Sequence, residues 1–196
     1  MKGVLLSVAS ALAFCGMSIL IKMAEGIDSF KTSLFRFVIG GALLGTAAMA
    51  GWIRLDFVHG PFLFLRGIFG GLAVYLFFLS IAKLGVAQGT VLSYAYPVFA
   101  AVFSAIFLKE RIGFVKALAL AVALLGIYVL MVAKSGSLSI MKSLGIYELL
   151  AILGAALSGI AVVLVKRLHE TDSTYAIFFA QCAMGVWVVV VPANMV

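Results

Sequence analysis

At 196 residues, 65% of them hydrophobic and only 11% charged, with a mean hydropathy of +1.27, this chain cannot coat itself with a water-facing surface. A soluble domain carries about 25% charged residues. The net charge of +7 is spread one to three residues at a time beside apolar segments, which argues for membrane-flanking anchors and against nucleic acid.

Seven charge-free runs follow one another: Gly3–Ile21, Phe37–Ile53, Gly67–Ala82, Leu84–Leu108, Ala117–Ala133, Leu149–Val165 and Ser173–Val196. A spanning helix takes about 20 mainly apolar residues. Lys and Arg at the ends of the shorter runs extend them by snorkelling to the headgroups. The runs are continuously apolar rather than alternating, so helices are predicted and not barrel strands. The fold class is therefore an all-α membrane protein, a polytopic helix bundle with one span for each of the seven runs.

The first run opens with Lys2 and passes Ala11-Leu12-Ala13, which has the look of a signal peptide. Its apolar stretch continues to Ile21, beyond the roughly 7–15 residues of a signal-peptide core, so it reads as the first span. Ser18 lies inside it as a cavity candidate, and Lys22 closes it. Cys15 and Cys182 both fall within spans and read as inert thiols.

Arg36 in the second span and Arg66 in the third sit inside the membrane, at opposite faces. Charges there are costly, turn towards protein, and mark anion anchors or gate ion pairs unless snorkelling suffices. Glu25 and Asp28 are candidate partners of Arg36. Gly41 with Gly45, and Gly67 with Gly71, are small-xxx-small pairs that let helices approach. The Gly67–Gly71 stretch lacks the Lys-Ser/Thr ending of a phosphate loop. Tyr75, Phe78, Gln88, Tyr94 and Tyr96 offer aromatic faces and hydrogen-bonding groups to an organic solute held between spans three and four. Pro97, well inside span four, must kink or break it. Glu110 and Arg111 at the end of that span are candidates for a gate.

The runs hold no deep Asp or Glu, Glu148 being at an edge. A coupling carboxylate therefore belongs to other helices, or movement is downhill. His59 and His169 lie in loops without partners at metal spacing, and no catalytic constellation is present. No cofactor, no metal and no enzyme activity are expected. The expected partners are the lipid bilayer and a small-molecule substrate.

With the N-terminus on one side, that side holds Lys2, Arg54, Lys109, Arg111, Lys116, Lys166 and Arg167, against Lys22, Lys31, Lys83, Lys134 and Lys142 on the other. Seven against five favours a cytoplasmic N-terminus in a cell's inner (plasma) membrane. An ungapped offset of 144 aligns Leu5 with Leu149, Lys22 with Lys166, Asp28 with Asp172, Ser29 with Ser173, Phe35 with Phe179 and Gly41 with Gly185. The offset spans five crossings, so the second copy enters the membrane with opposite orientation, as in the inverted repeats of secondary transporters. This divides the chain into residues 1–144 and 145–196. The second part stops after two helices, so either the sequence is a fragment or the remainder comes from another chain, as a homo-oligomer or a missing C-terminal half.

Leu65-Arg66-Gly67, Phe77-Phe78-Leu79-Ser80, Tyr94-Ala95-Tyr96-Pro97 and Leu108-Lys109-Glu110-Arg111, with Lys22 closing the first span, Arg36 early in the second and Gly126 in the fifth, resemble the EamA domain of the drug/metabolite transporter superfamily. The resemblance implies one five-helix EamA repeat over 1–144 and the opening of a second over 145–196. It implies a carrier, and more often an exporter, of small metabolites or drugs that works by alternating access. A cavity is expected between spans one, three, four and six. The rival reading is a non-transporting truncated subunit or scaffold that requires a partner.

Overall fold

The computed structural model describes residues 2–23, 29–109, 113–135 and 145–193. Eight helices account for nearly all of them: α1 (Lys2–Met23), α2 (Ser29–Met49), α3 (Gly60–Leu84), α4 (Val86–Ser93), α5 (Tyr96–Phe107), α6 (Phe114–Ser135), α7 (Ile146–Leu168) and α8 (Thr174–Ala193). Among the described residues no strand occurs. Four stretches are long and apolar enough to cross a membrane: Ser29–Met49, Gly60–Leu84, Val86–Phe107 and Ile146–Leu168. Shorter apolar stretches lie at Val4–Met17, Ala117–Val129 and Thr174–Val190. The outer faces are oily: Leu5 is 75% exposed on α1 and Val122 61% exposed on α6. Water would not tolerate that surface and hydrocarbon does, so this is a multi-pass membrane protein.

The third of the four long stretches is two helices. Its α-helix stops at Ser93 and restarts at Tyr96, with Pro97 in the first turn of α5. Proline has no N–H to give the Ser93 carbonyl four residues earlier, and its ring crowds the preceding turn. The break expected at Pro97 therefore falls just ahead of it, at Tyr94–Ala95, where the Tyr94 and Ala95 amides turn back to Thr90 and Leu92 at 2.9 and 3.1 Å. Before α4, Gly85 stands in the left-handed region (φ +87°), a conformation that costs glycine little. This turn lays α4 back along the end of α3, and a Cβ on Gly89 would stand 2.8 Å from the Ile81 nitrogen.

The bundle is organised around α3, which packs chiefly against α7 and α8; α2 leans on α8, and α5 on α7. By contrast, α1 and α6 touch their neighbours sparingly. The close approach is built from glycine. A Cβ on Gly71 would fall 2.8 Å from the Gly185 Cα, and one on Gly67 would fall 2.5 Å from the Met184 Cβ. Where α5 crosses α7, a Cβ on Gly159 would meet that of Phe99 at 2.7 Å. Small residues serve this way because lipid supplies no hydrophobic drive for helix association and contact must come from packing. Phe37, Cys182 and Val189 fill the space beside the seam, flanked by Val74 and Tyr75. Leu63, Leu168 and Ile177 fill one end of the bundle.

Hydrogen bonds between loops give the helix directions. At one end, Asp172 Oδ1 accepts the Val58 and His59 amides at 2.7 and 3.2 Å, and the Ser173 hydroxyl donates to the Arg54 carbonyl at 3.1 Å. This stitches the loop after α2 to the loop before α8. At the other end, the Ser29 hydroxyl reaches the Phe78 carbonyl at 3.4 Å, and the Gln88 amide donates to Glu148 Oε1 at 3.2 Å. So α8 starts where α2 stops, and the two run in opposite directions. Likewise α1, which leads into the start of α2, runs opposite to α7. These are the helices brought into register by the offset of 144: Lys2 and Ile146 open α1 and α7, and Met49 and Ala193 close α2 and α8.

The Asp172 side chain has no exposed surface. Burial opposes its ionisation, but the Val58 amide, the Thr171 hydroxyl at 2.8 Å, the His59 amide and the facing His59 ring together hold its carboxyl below the usual carboxylate range. A carboxylate whose folded value is depressed stabilises the fold above its unfolded value and loses that contribution as pH falls through the folded one. Asp172→Asn is therefore expected to lower thermal stability in detergent at pH 7, by about 1–3 kcal/mol for a buried charged acceptor. The gap between variant and wild type should narrow as the pH drops below about 4. For the seam, Gly71→Ala is expected to cost about 1–3 kcal/mol by overpacking. Gly126→Ala, with nothing within 4 Å of its added carbon, should be neutral or stabilise by up to about 1 kcal/mol in the same melting measurement.

Candidate functional site

Where α3 and α8 are drawn together by Gly67 and Gly71, Arg66, the residue next to Gly67, is carried into the protein interior. Its Nη2 donates to the Oε1 of Gln181 on α8 at 2.9 Å. One turn further along α3, a Cβ on Gly70 would collide with Arg66 Nη1 and stand 3.1 Å from the Gln181 amide. Glycine at that position therefore leaves room for the guanidinium. The Nε and Nη1 of Arg66 are buried without a hydrogen-bond partner, and so is the hydroxyl of Thr90 on α4.

These groups line a cavity of about 380 Å³. Its aromatic wall is Phe14 of α1, Phe77 of α3, and Tyr94 and Tyr96 at the break between α4 and α5. Phe14 lies 5.4 Å from Phe77 and 6.4 Å from Tyr94, centroid to centroid. Polar groups come from Arg36, Arg66, Thr90, Ser93, Ser158 and Gln181, and the small residues Gly70, Ala73, Gly154 and Ala161 keep the space open. Among the described residues no Asp or Glu lines it. Arg36 sits on the α2 side, with Nη1 3.4 Å from the Met17 sulfur and the guanidinium 5.8 Å from the Phe78 ring centroid. An amphipathic chamber of this size, with fixed cations and aromatic walls, can hold a small organic molecule by one polar end and one flat face.

Of the side chains singled out in the sequence, Arg36, Arg66, Tyr94 and Tyr96 meet at this cavity. Others lie elsewhere. Tyr75 packs on the Phe37 cluster. Phe78 is 1% exposed beneath Arg36. Gln88 is bonded to Glu148, and Pro97 faces outward at the start of α5. The side chains of Ser18 and Lys22, and the residues Glu110 and Arg111, lie outside the described residues, as do Glu25 and Asp28. The chamber draws on α2 and α8 as well as spans one, three, four and six. Phe14, Thr90, Ser158 and Gln181 are not among those candidates, and Phe77 figures there only within the Phe77–Ser80 motif, although Ser158 and Gln181 carry a signal. Ser158 is the one polar side chain in Leu149–Val165, and Gln181 is an amide in the middle of the last run.

Residues 1–132 match the model of the EamA-like transporter family. The chain belongs to that family. This EamA-like chain is 31% identical over 190 residues to the pseudopaline exporter CntI of Pseudomonas aeruginosa, covering 96% of its own length and 65% of that protein's. It is 32% identical over 114 residues to solute carrier family 35 member G1 of Mus musculus, 56% of this chain and 30% of that one. It is 37% identical over 106 residues to the uncharacterized transporter YdfC of Bacillus subtilis, 53% of this chain and 34% of that one. No solved structure matches it.

The geometry predicts which positions water-borne reagents can reach. With Cys15 and Cys182 replaced by alanine, Ser93→Cys and Ser158→Cys are expected to react with a small aqueous thiol reagent in membranes. Leu92→Cys, at a position 1% exposed, should stay protected, and mass spectrometry of the labelled protein reads the difference.

Proposed function

We propose that this EamA-like chain carries a small organic solute outward across a cell's inner membrane by alternating access, with its N-terminus in the cytoplasm. It is read as a carrier and not as an enzyme. The observation that supports this most is the chamber itself. It lies among helices that run in opposite directions, it has a broken span as one wall, and it is wide enough for a metabolite and lined for one. A broken helix bordering a mid-bundle site is how transporter folds combine a binding place with a joint that moves. Rocking α7 and α8 against α2 and α3 would expose the chamber to one side and then the other, and the glycine seam gives those helices smooth faces for such a movement. The exporter among the relatives favours outward carriage, and the seven-to-five distribution of basic residues favours the cytoplasmic N-terminus.

A second reading, a membrane subunit that acts only beside another chain or a second copy of itself, draws on the sparse contacts of α1 and α6 with the rest of the bundle.

Efflux from cells expressing the chain, profiled by mass spectrometry of the medium, tests the proposal. Wild type should enrich at least one metabolite outside. Ser158→Trp, which fills the chamber, should abolish that enrichment, and Leu118→Trp on the exposed face of α6 should not. Enrichment untouched by Ser158→Trp would sink the cavity as the route. No enrichment by the chain alone, restored by co-expression of a second chain, would favour the subunit reading.

A further inference from the structure

We infer that the Arg66–Gln181 pair is the receptor for a carboxylate, so that the solute is a small organic acid with an aromatic or apolar remainder. This rests on the reading of the chamber as a carrier's binding site and names the class of molecule it takes. Among the described residues, the buried side-chain polar atoms without a partner belong to two residues, Arg66 and Thr90, and both line the same chamber. A buried donor left unpaired is costly, and an intramembrane cation more so. Two such residues converging on one space mark groups held ready for something that is not part of the chain.

The chemistry of that ligand follows from the donors. Gln181 is neutral, so its bond to Nη2 fixes the guanidinium in place without cancelling its charge. The unfilled Nε and Nη1 can still donate. The N–H of Nη2 that Gln181 leaves free, beside an unfilled N–H of Nε or Nη1, makes the parallel pair that matches the two oxygens of a carboxylate, a fit that a lysine ammonium does not offer. The Thr90 hydroxyl supplies one further donor on the α4 side. Arg36 adds a second positive charge to the lining, and among the described residues no acidic side chain there opposes it. Gly70 completes the receptor, since any side chain at that position would occupy the space the guanidinium needs. The remainder of the solute lies against Phe14, Phe77 and the two tyrosines. We favour a carboxylate over a phosphate ester because Arg66 is the one cation among the described residues whose unfilled donors are fully buried, and a single planar guanidinium matches a carboxylate's charge.

The test uses purified full-length protein in detergent and a panel of probes: acetate, benzoate, phenylacetate and indole-3-acetate, each paired with its neutral amide, together with phenyl phosphate. Melting temperature against probe concentration reports binding. At least one carboxylate should stabilise the protein where its amide does not. Arg66→Gln should weaken that binding at least tenfold, and Arg66→Lys should weaken it less. In the absence of probe, Arg66→Gln should melt no lower than wild type, because the native arginine is held for a ligand and not for the fold. The proposal is overturned if no carboxylate is told from its amide, if phenyl phosphate stabilises better than every carboxylate, or if Arg66→Gln melts lower without probe. The carrier reading is separable from this assignment. Should Ser158→Trp block efflux of neutral or cationic solutes while Arg66→Gln leaves it intact, carriage stands and the carboxylate assignment falls.

Discussion

Helix α3 can occupy the centre of this bundle because one of its faces is nearly bare. Gly67, Gly70, Gly71 and Ala73 recur at helical spacing and are all buried. Two neighbours, α7 and α8, close on that face until backbone meets backbone, as at Gly71 and Gly185. In a bilayer this is the available route to a tight joint, because lipid tails solvate leucine as well as another helix does and association must come from close contact. The large side chains are displaced to the flanks, where Phe37, Phe78 and Val189 are fully covered.

The chamber is the complement of that joint. Where α3 is bare it admits α8, and one turn away the same bareness, now at Gly70, admits a guanidinium. The helix break ahead of Pro97 moves Tyr94 and Tyr96 out of a continuous helical register and turns them towards Phe14 and Phe77. Thus two residue types that are poor helix formers in water, glycine and proline, carry most of the architecture. One makes the approach of helices possible and the other interrupts a helix beside the space that results. The clasp of Asp172 and Ser173 on the loop of residues 54–59 holds the starts of α3 and α8 together at one end of the bundle.

The membrane character, the helical class, the order of apolar runs and the site of the helix break were all legible from residue order. Each depends on a local property: the absence of charge over a run, the absence of an N–H at Pro97, the absence of a side chain at Gly67 and Gly71. The site was legible only in part. Arg36 and Arg66 announced themselves because charge inside a hydrophobic run is unusual. Tyr94 and Tyr96 could be named as aromatic candidates, but nothing in one dimension separated them from Tyr75 and Phe78, which pack into the interior instead. Spacing says which residues share a helix face and does not say which face meets a neighbour.

Gln181 shows the division most clearly. As an amide in the middle of an apolar run it was visible, but its meaning depends on α8 lying across α3 at the depth of Arg66, 115 positions away along the chain. By itself, residue order determined that this polypeptide must fold inside lipid as a set of helices, since burial of backbone polar groups in hydrocarbon leaves little alternative. Only the tertiary structure decided which cation would be left with open donors, because that depends on which helices pass closely enough to supply a partner and which gap stays unfilled.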